Sequence, residues 1–236
     1  MTGAFLNAMG ILIGALFGLA LPKPLSLRTQ VFFRSALGAL TVYFGLRLVW
    51  LSVNGPFLSC LKQMLVAVLA LMIGNLPGKL LRLQKVSNRL GHWAGGLIAS
   101  APRRRGDGFS ACVVLFCAAP LGWLGAVTDG LSGYFYLLAV KAVMDGLAMM
   151  SFVKMFRWPV ALAAFPVFFF FNGLALLVQR GAKPFLDAHY LTNDVCIAAG
   201  LITCTVALVI LEVRRVELAN YLPALLVAPI FAHWLT

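Results

Sequence analysis

The chain has 236 residues, 62% of them hydrophobic and only 11% charged, with a mean hydropathy of +0.96. About a quarter of a soluble domain is charged, so the composition excludes a water-solvated globule and makes lipid the solvent for most of the surface. The net charge of +12 does not indicate a nucleic-acid partner, because the basic residues sit in short connectors between apolar runs, where membrane topology places them.

In hydrocarbon every backbone amide must be paired internally, and the apolar runs are long and continuous, so the expected fold is all-α, a polytopic transmembrane helix bundle of seven or eight spans. In chain order the spans are 3–21, 32–53, 57–73, 109–127, 134–153, 158–179, 194–211 and 218–235, forming one integral membrane domain over 1–236. The first run lacks the basic start of a cleaved signal and reads as a retained span. The last is short and holds Pro223 and Pro229, which suits a broken or re-entrant segment.

Basic residues orient the bundle. Odd-numbered connectors hold Lys23, Arg28 and Arg34; Lys79, Arg82, Lys85, Arg89, Arg103, Arg104 and Arg105; Lys154 and Arg157; and Arg214 and Arg215. Even-numbered connectors hold Arg180 and Lys183. The asymmetry places the odd connectors in the cytoplasm and both termini outside, in a bacterial cytoplasmic (inner) membrane. Arg47 and Lys62 lie toward outer span ends, where their heads reach the interface or line an anion-attracting vestibule.

Connector 78–108 carries Leu83, Val86, Leu90, Trp93 and Leu97 at spacings of three and four, with Lys79, Arg82, Lys85 and Arg89 on other faces. This is an amphipathic cytoplasmic surface helix suited to an anionic leaflet, extended by the cluster Arg103-Arg104-Arg105. A faint internal symmetry relates 38–76, ending in Asn75-Leu76, to 200–229, which contains Asn220-Tyr221-Leu222-Pro223. If spans two and three correspond to seven and eight, the repeat is inverted, as in many secondary transporters.

Polar groups inside spans are costly and informative: a charge at the bilayer centre costs about 2.5–3.5 kcal/mol even on the insertion scale. Lys141 and Asp145 are four residues apart in span five and share a helix face. They form either a packing ion pair or a substrate, proton or coupling-ion site. Pro120 should break span four, and Gly122, Gly130 and Gly146 permit close packing or unwinding around the break. Thr128 and Asp129 follow at the outer end. Asn7, Asn172 and Asn220 add intramembrane amides that bond other helices or converge on a ligand. Gly10, Gly14 and Gly18 form a small-residue stripe that suits a homodimer or an internal neighbour.

No hydrolase, metalloprotease or phosphate-loop motif is present, and the three histidines offer no metal-ligand spacing. The five cysteines contain no CxxC and lie mostly in apolar runs. The expectation is therefore a non-enzyme with no metal and no cofactor.

The run LFCAAPLGWLGAVTDGLSG, then KAVMDG, then ANYLPALLVAP, with the opening GAFLNAMGILIGALFG, resembles the YqgA/YdfK-like family of uncharacterised bacterial inner-membrane proteins, over nearly the whole chain. The resemblance implies a multi-pass helical protein of the cytoplasmic membrane and points to Asn7, Pro120, Asp129, Gly130, Lys141, Asp145, Gly146, Asn220 and Pro223. Thr128 and Asn172 stand where the family pattern carries glutamine, which bears on ligand identity if those positions contact one.

Two functions fit these residues. One is a small-solute or ion-coupled transporter whose site lies between the broken span four and span five: Lys141 faces an anionic group or holds Asp145, Asp129 guards the outer mouth, and the asparagines supply neutral hydrogen bonds. That reading needs Lys141 and Asp145 to adjoin a pocket rather than closed packing. The other is a non-transporting assembly or regulatory protein acting through helix contacts.

Overall fold

The structure, a computed structural model, describes residues 2–21, 26–100, 107–214 and 216–235. Lys23, Arg103, Arg104, Arg105 and Arg215 lie outside them, as does the side chain of Leu97. The described residues form helices without strands, in the order α1 (Thr2–Ala20), α2 (Leu27–Ser52), α3 (Phe57–Leu80), α4 (Leu83–Ser100), α5 (Asp107–Ala118), α6 (Pro120–Ser132), α7 (Tyr136–Phe156), α8 (Ala164–Leu177), α9 (Lys183–Ala188), α10 (Thr192–Ile210) and α11 (Ala224–Leu235). Six helical segments are long and apolar enough to cross a membrane, and the bent α5–α6 pair makes a seventh. The eighth expected span is a shorter apolar helix, Leu218–Trp234.

Local chemistry sets the boundaries. α2 begins five residues earlier than hydropathy places it, because Ser26 caps it and accepts the Thr29 amide at 3.2 Å. α3 runs on to Leu80, past Pro77. A 3₁₀ turn (Trp158–Ala163), α8, a π turn (Val178–Ala182) and α9 make one continuous span, Trp158–Ala188. Span four breaks at Pro120 as expected: Ala119 is extended, and the axes of α5 and α6 differ by 58°. The ring removes a backbone donor and clashes with the preceding turn, so the helix restarts with proline at its first position.

Small residues decide which helices meet. In lipid no hydrophobic force joins helices, so close van der Waals approach does. Along α1, Gly3 faces Leu138, Gly10 faces Ala142, Gly14 faces Gly146 and Gly18 faces Met150 of α7. The two number series rise together, so α1 and α7 are parallel. Gly38 meets Leu211, and Gly45 meets Gly200 and Cys204, so α2 and α10 are antiparallel. Gly74 meets Ala224 and Gly78 meets Asn220, so α3 and the α11 segment are antiparallel. The segments proposed to correspond by internal symmetry thus pack against each other.

The bent pair crosses the whole bundle. Gly108 at its start lies against Phe156, at the C-terminal end of α7, and Asp129 near its finish meets Gly3, at the N-terminal end of α1. It is therefore a broken span and not a re-entrant loop. These directions gather Arg34, Lys79, Arg82, Lys154 and Arg157 at one end, hereafter the basic end.

α4 joins α3 to α5 at the basic end. Val86, Leu90 and Trp93 are half exposed, while Ala94 is buried against the bundle. Its apolar face is thus left to the surroundings, as an interfacial helix requires. Gln84 and Asn220 fasten it: the Gln84 amide donates to Asn220 Oδ1 at 3.1 Å, and the Ala219 amide donates to Gln84 Oε1 at 3.2 Å.

Candidate functional site

Lys141 and Asp145 lie on the face of α7 that is turned toward α1, α5, α6 and α8. Lys141 Nζ donates to Asp145 Oδ2 at 2.5 Å, and the side chains are 2% and 10% exposed. The ammonium lies 5.4 Å from the centre of the Phe171 ring and 5.8 Å from that of Phe116. Gly122 closes the box, because a methyl group there would collide with Phe171 and come within 2.7 Å of Lys141 Cε. Two aromatic faces and one carboxylate hold a charge that hydrocarbon alone would not tolerate.

Asn7 is fully buried beside the Asp145 carboxylate, which its side-chain amide faces from α1. The glycines on either side of it on α1, Gly3 and Gly10, bring the α1 and α7 backbones together at this level.

A cavity of about 720 Å³ opens at the basic end. Gln30, Arg34, Lys154 and Glu212 form its mouth, and Arg34 pairs with Glu212 across it. Leu37, Met144, Leu147, Ala148, Val206 and Ile210 line its walls, and Ala119, Pro120 and Leu121 line it at the helix break. Lys141 and Asp145 are not part of that lining. The cavity reaches Met144 and Ala148, one turn or less from Asp145 along α7, and Leu121, the neighbour of Gly122. Of the candidate site residues singled out in the sequence only Pro120 lines this cavity; Lys141 and Asp145 sit in closed packing beyond its wall, not in a pocket between span four and span five.

The other predicted residues separate. Asp129 does not face an outer mouth: it is 5% exposed, and its Oδ2 accepts the Gly3 amide at 3.1 Å. It thus satisfies one of the amides orphaned at the start of α1. The Thr128 hydroxyl is directed at the carbonyls of Gly125 (3.1 Å) and Tyr134 (3.2 Å) and braces the α6–α7 turn. That turn closes on Gly133, whose φ of 71° suits glycine. Asn220 is 3% exposed at the basic end, bonded to Glu217 and to the Gln84 amide rather than to the mid-bundle pair. Asn172 is half-buried on α8 and does not line the cavity. Gly130 lets the Ala175 carbonyl approach, Gly146 packs on Gly10, and Pro223 sits between a second 3₁₀ turn (Leu218–Tyr221) and α11. The stripe Gly10, Gly14 and Gly18 packs inside the chain against Ala142, Gly146 and Met150 of α7. Arg47, toward the C-terminal end of α2, lies over the Tyr136 ring at 4.7 Å.

Phe116 and Phe171 escaped sequence reasoning. Phe171 sits in the run 168–171, which reads as bulky packing, and nothing in a single sequence tells the ring that meets a cation from its neighbours. Among the described residues no group of three His, Cys, Asp or Glu side chains could hold a metal.

Apolar helices of spanning length, glycine-mediated close packing and a buried ion pair beside a cavity define a multi-pass helical membrane protein. The chain belongs to the family described as "Protein of unknown function (DUF554)", which it matches over residues 2–233. It is 25% identical over 230 residues to the uncharacterized membrane protein YdfK of Bacillus subtilis (strain 168), covering 98% of this chain and 95% of that protein. It is 28% identical over 241 residues to the uncharacterized protein YqgA of Escherichia coli (strain K12), covering 98% of this chain and 97% of that protein. The resemblance carried by the central and terminal motifs is borne out. No solved structure matches the chain.

Proposed function

We propose that this protein is a small-solute or ion-coupled transporter of the bacterial cytoplasmic membrane, not an enzyme, with its basic end in the cytoplasm. The observation that carries the reading is the cavity of about 720 Å³, which enters from one end and stops at a broken helix beside a sealed ion pair. Transporters build sites at such interruptions, where backbone groups are freed at mid-membrane. In this arrangement the cavity is an inward-facing vestibule, and the Lys141–Asp145 pair with its aromatic box is the closed gate behind it.

The test is thermal unfolding of the purified protein against a panel of ions and metabolites, beside Asp145→Asn and Ala148→Trp, the second of which fills the cavity. A ligand of the folded state at a hundred times its Kd adds about 2.7 kcal/mol. A compound that stabilises wild type but not Ala148→Trp, whose effect changes its pH dependence in Asp145→Asn, and that crosses proteoliposomes, supports transport. If no compound shifts wild type, the reading fails, and the non-transporting alternative gains, with α4 as its exposed contact surface.

A further inference from the structure

We infer that the Lys141–Asp145 pair couples one proton to one monovalent anion with an apolar body, admitted from the basic-end cavity. This rests on the transport reading and specifies its cargo and coupling ion.

Charge balance carries the argument. The pair is nearly sealed from solvent, and an uncompensated charge in such a place costs several kcal/mol. With Lys141 kept as an ammonium by its carboxylate and aromatic neighbours, and with a proton and one anion as the only ligands, two occupancies are neutral. One is Lys141 ammonium with Asp145 carboxylate, as seen. The other is Lys141 ammonium with a protonated Asp145 and one bound monoanion. A proton without the anion leaves an unpaired ammonium; the anion without a proton leaves an excess negative charge. Each ligand therefore favours the other, and the coupling is reciprocal.

The surroundings select proton over metal cation. Asn7 faces the pair from α1, the Cys117 thiol from α5, Gly122 from α6, and Phe171 from α8; among the described residues no second carboxylate faces it. A metal cation would find one carboxylate already bound to an ammonium at 2.5 Å and one amide oxygen. Six or more oxygens are the usual demand of a hard divalent cation. A proton needs only a lone pair on Asp145. The Asn7 amide serves either state of Asp145: its Nδ2 can donate to the carboxylate, and after rotation its Oδ1 can accept the new carboxyl hydrogen. No bond forms or breaks besides O–H at Asp145 and the ion pair it replaces.

The cavity selects the anion. Its mouth carries Arg34 and Lys154 against a single Glu212, while its walls are aliphatic with Met144, Met150 and Met155. A cationic mouth over an apolar throat favours a small organic anion over a sugar or an inorganic ion, and flexible methionines fit varied shapes.

The experiment uses the full chain in detergent, with hexanoate and benzoate as probes and hexanamide and hexylammonium as controls. Calorimetry in two buffers of different ionisation enthalpy counts protons taken up per anion bound. Expected are about one proton per carboxylate and an affinity that falls about tenfold per pH unit on the alkaline side. Asp145→Asn should bind the carboxylates with no proton uptake and no such slope, and Lys141→Met should lose them. Carboxylate binding without proton uptake, a requirement for sodium, or binding of hexylammonium overturns the inference. So does failure of both carboxylates on wild type and on Asp145→Asn, or binding of phosphatidylglycerol from nanodiscs in place of both. Proteoliposome flux separates the two levels. Proton-linked binding without flux refutes transport and leaves the coupled site. Flux of another solute, with no proton-linked carboxylate binding, retains transport and refutes this coupling.

Discussion

Lys141→Met is the sharpest test of the buried pair. Methionine keeps most of the stem's volume, so little cavity forms and the change is chiefly electrostatic. At 2.5 Å and an effective dielectric near 20, the lost attraction is about 7 kcal/mol before desolvation is returned. Removing one partner of a buried pair costs about 3–5 kcal/mol, because the remaining charge stays unpaired. With Asp145 only 7% exposed, water offers it little relief. The single variant should therefore unfold well below wild type at neutral pH in the same detergent. The double variant Lys141→Met, Asp145→Leu should recover wild-type stability or exceed it by about 1–4 kcal/mol, since an apolar pair avoids both desolvation costs. The assay is thermal unfolding followed by size-exclusion chromatography at matched pH. A single variant as stable as wild type would refute the reasoning, because it would mean that Asp145 is already neutral or hydrated. A recovered double variant that has lost ligand binding would show that the charges are kept for function and not for stability.

Gly14→Ala should destabilise by about 1–3 kcal/mol, because its methyl group would strike the Gly146 backbone; Gly173→Ala, which meets nothing within 4 Å on α8, should be neutral or stabilising in the same melt. Asp129→Ala should cost about 0.5–2 kcal/mol by orphaning the Gly3 amide, and hydrogen exchange should show the first turn of α1 fraying before the rest. Gln84→Ala should raise exchange in α4 while leaving α7 protected, because Gln84 and Asn220 clamp α4 to the turn before α11. In intact cells of a cysteine-free background, cysteine at Lys183 should react with an impermeant maleimide and cysteine at Lys85 should not; the reverse would invert the orientation.

Much of the architecture is legible without coordinates, because lipid imposes a simple rule. Backbone groups cannot go unpaired in hydrocarbon, so each apolar run of sufficient length is a helix, and the local covalent constraint of Pro120 breaks span four where it stands. Helix spacing likewise puts Lys141 and Asp145 within reach, since residues four apart always share a face. Partners distant in the chain are another matter. The glycine stripe of α1 could serve a second copy or a neighbour, and only packing showed that Gly14 is spent on Gly146. Asp129 and Asn220 read as members of one polar site, but each accepts a backbone amide from a distant part of the chain, at opposite ends of the bundle. Phe116 and Phe171, from different helices, meet at one ammonium, and the cavity stops short of it. Period and hydropathy act along a single helix, so the sequence determined the spans, the break and the pair; which faces meet across helices is a three-dimensional choice, and only the tertiary structure could make it.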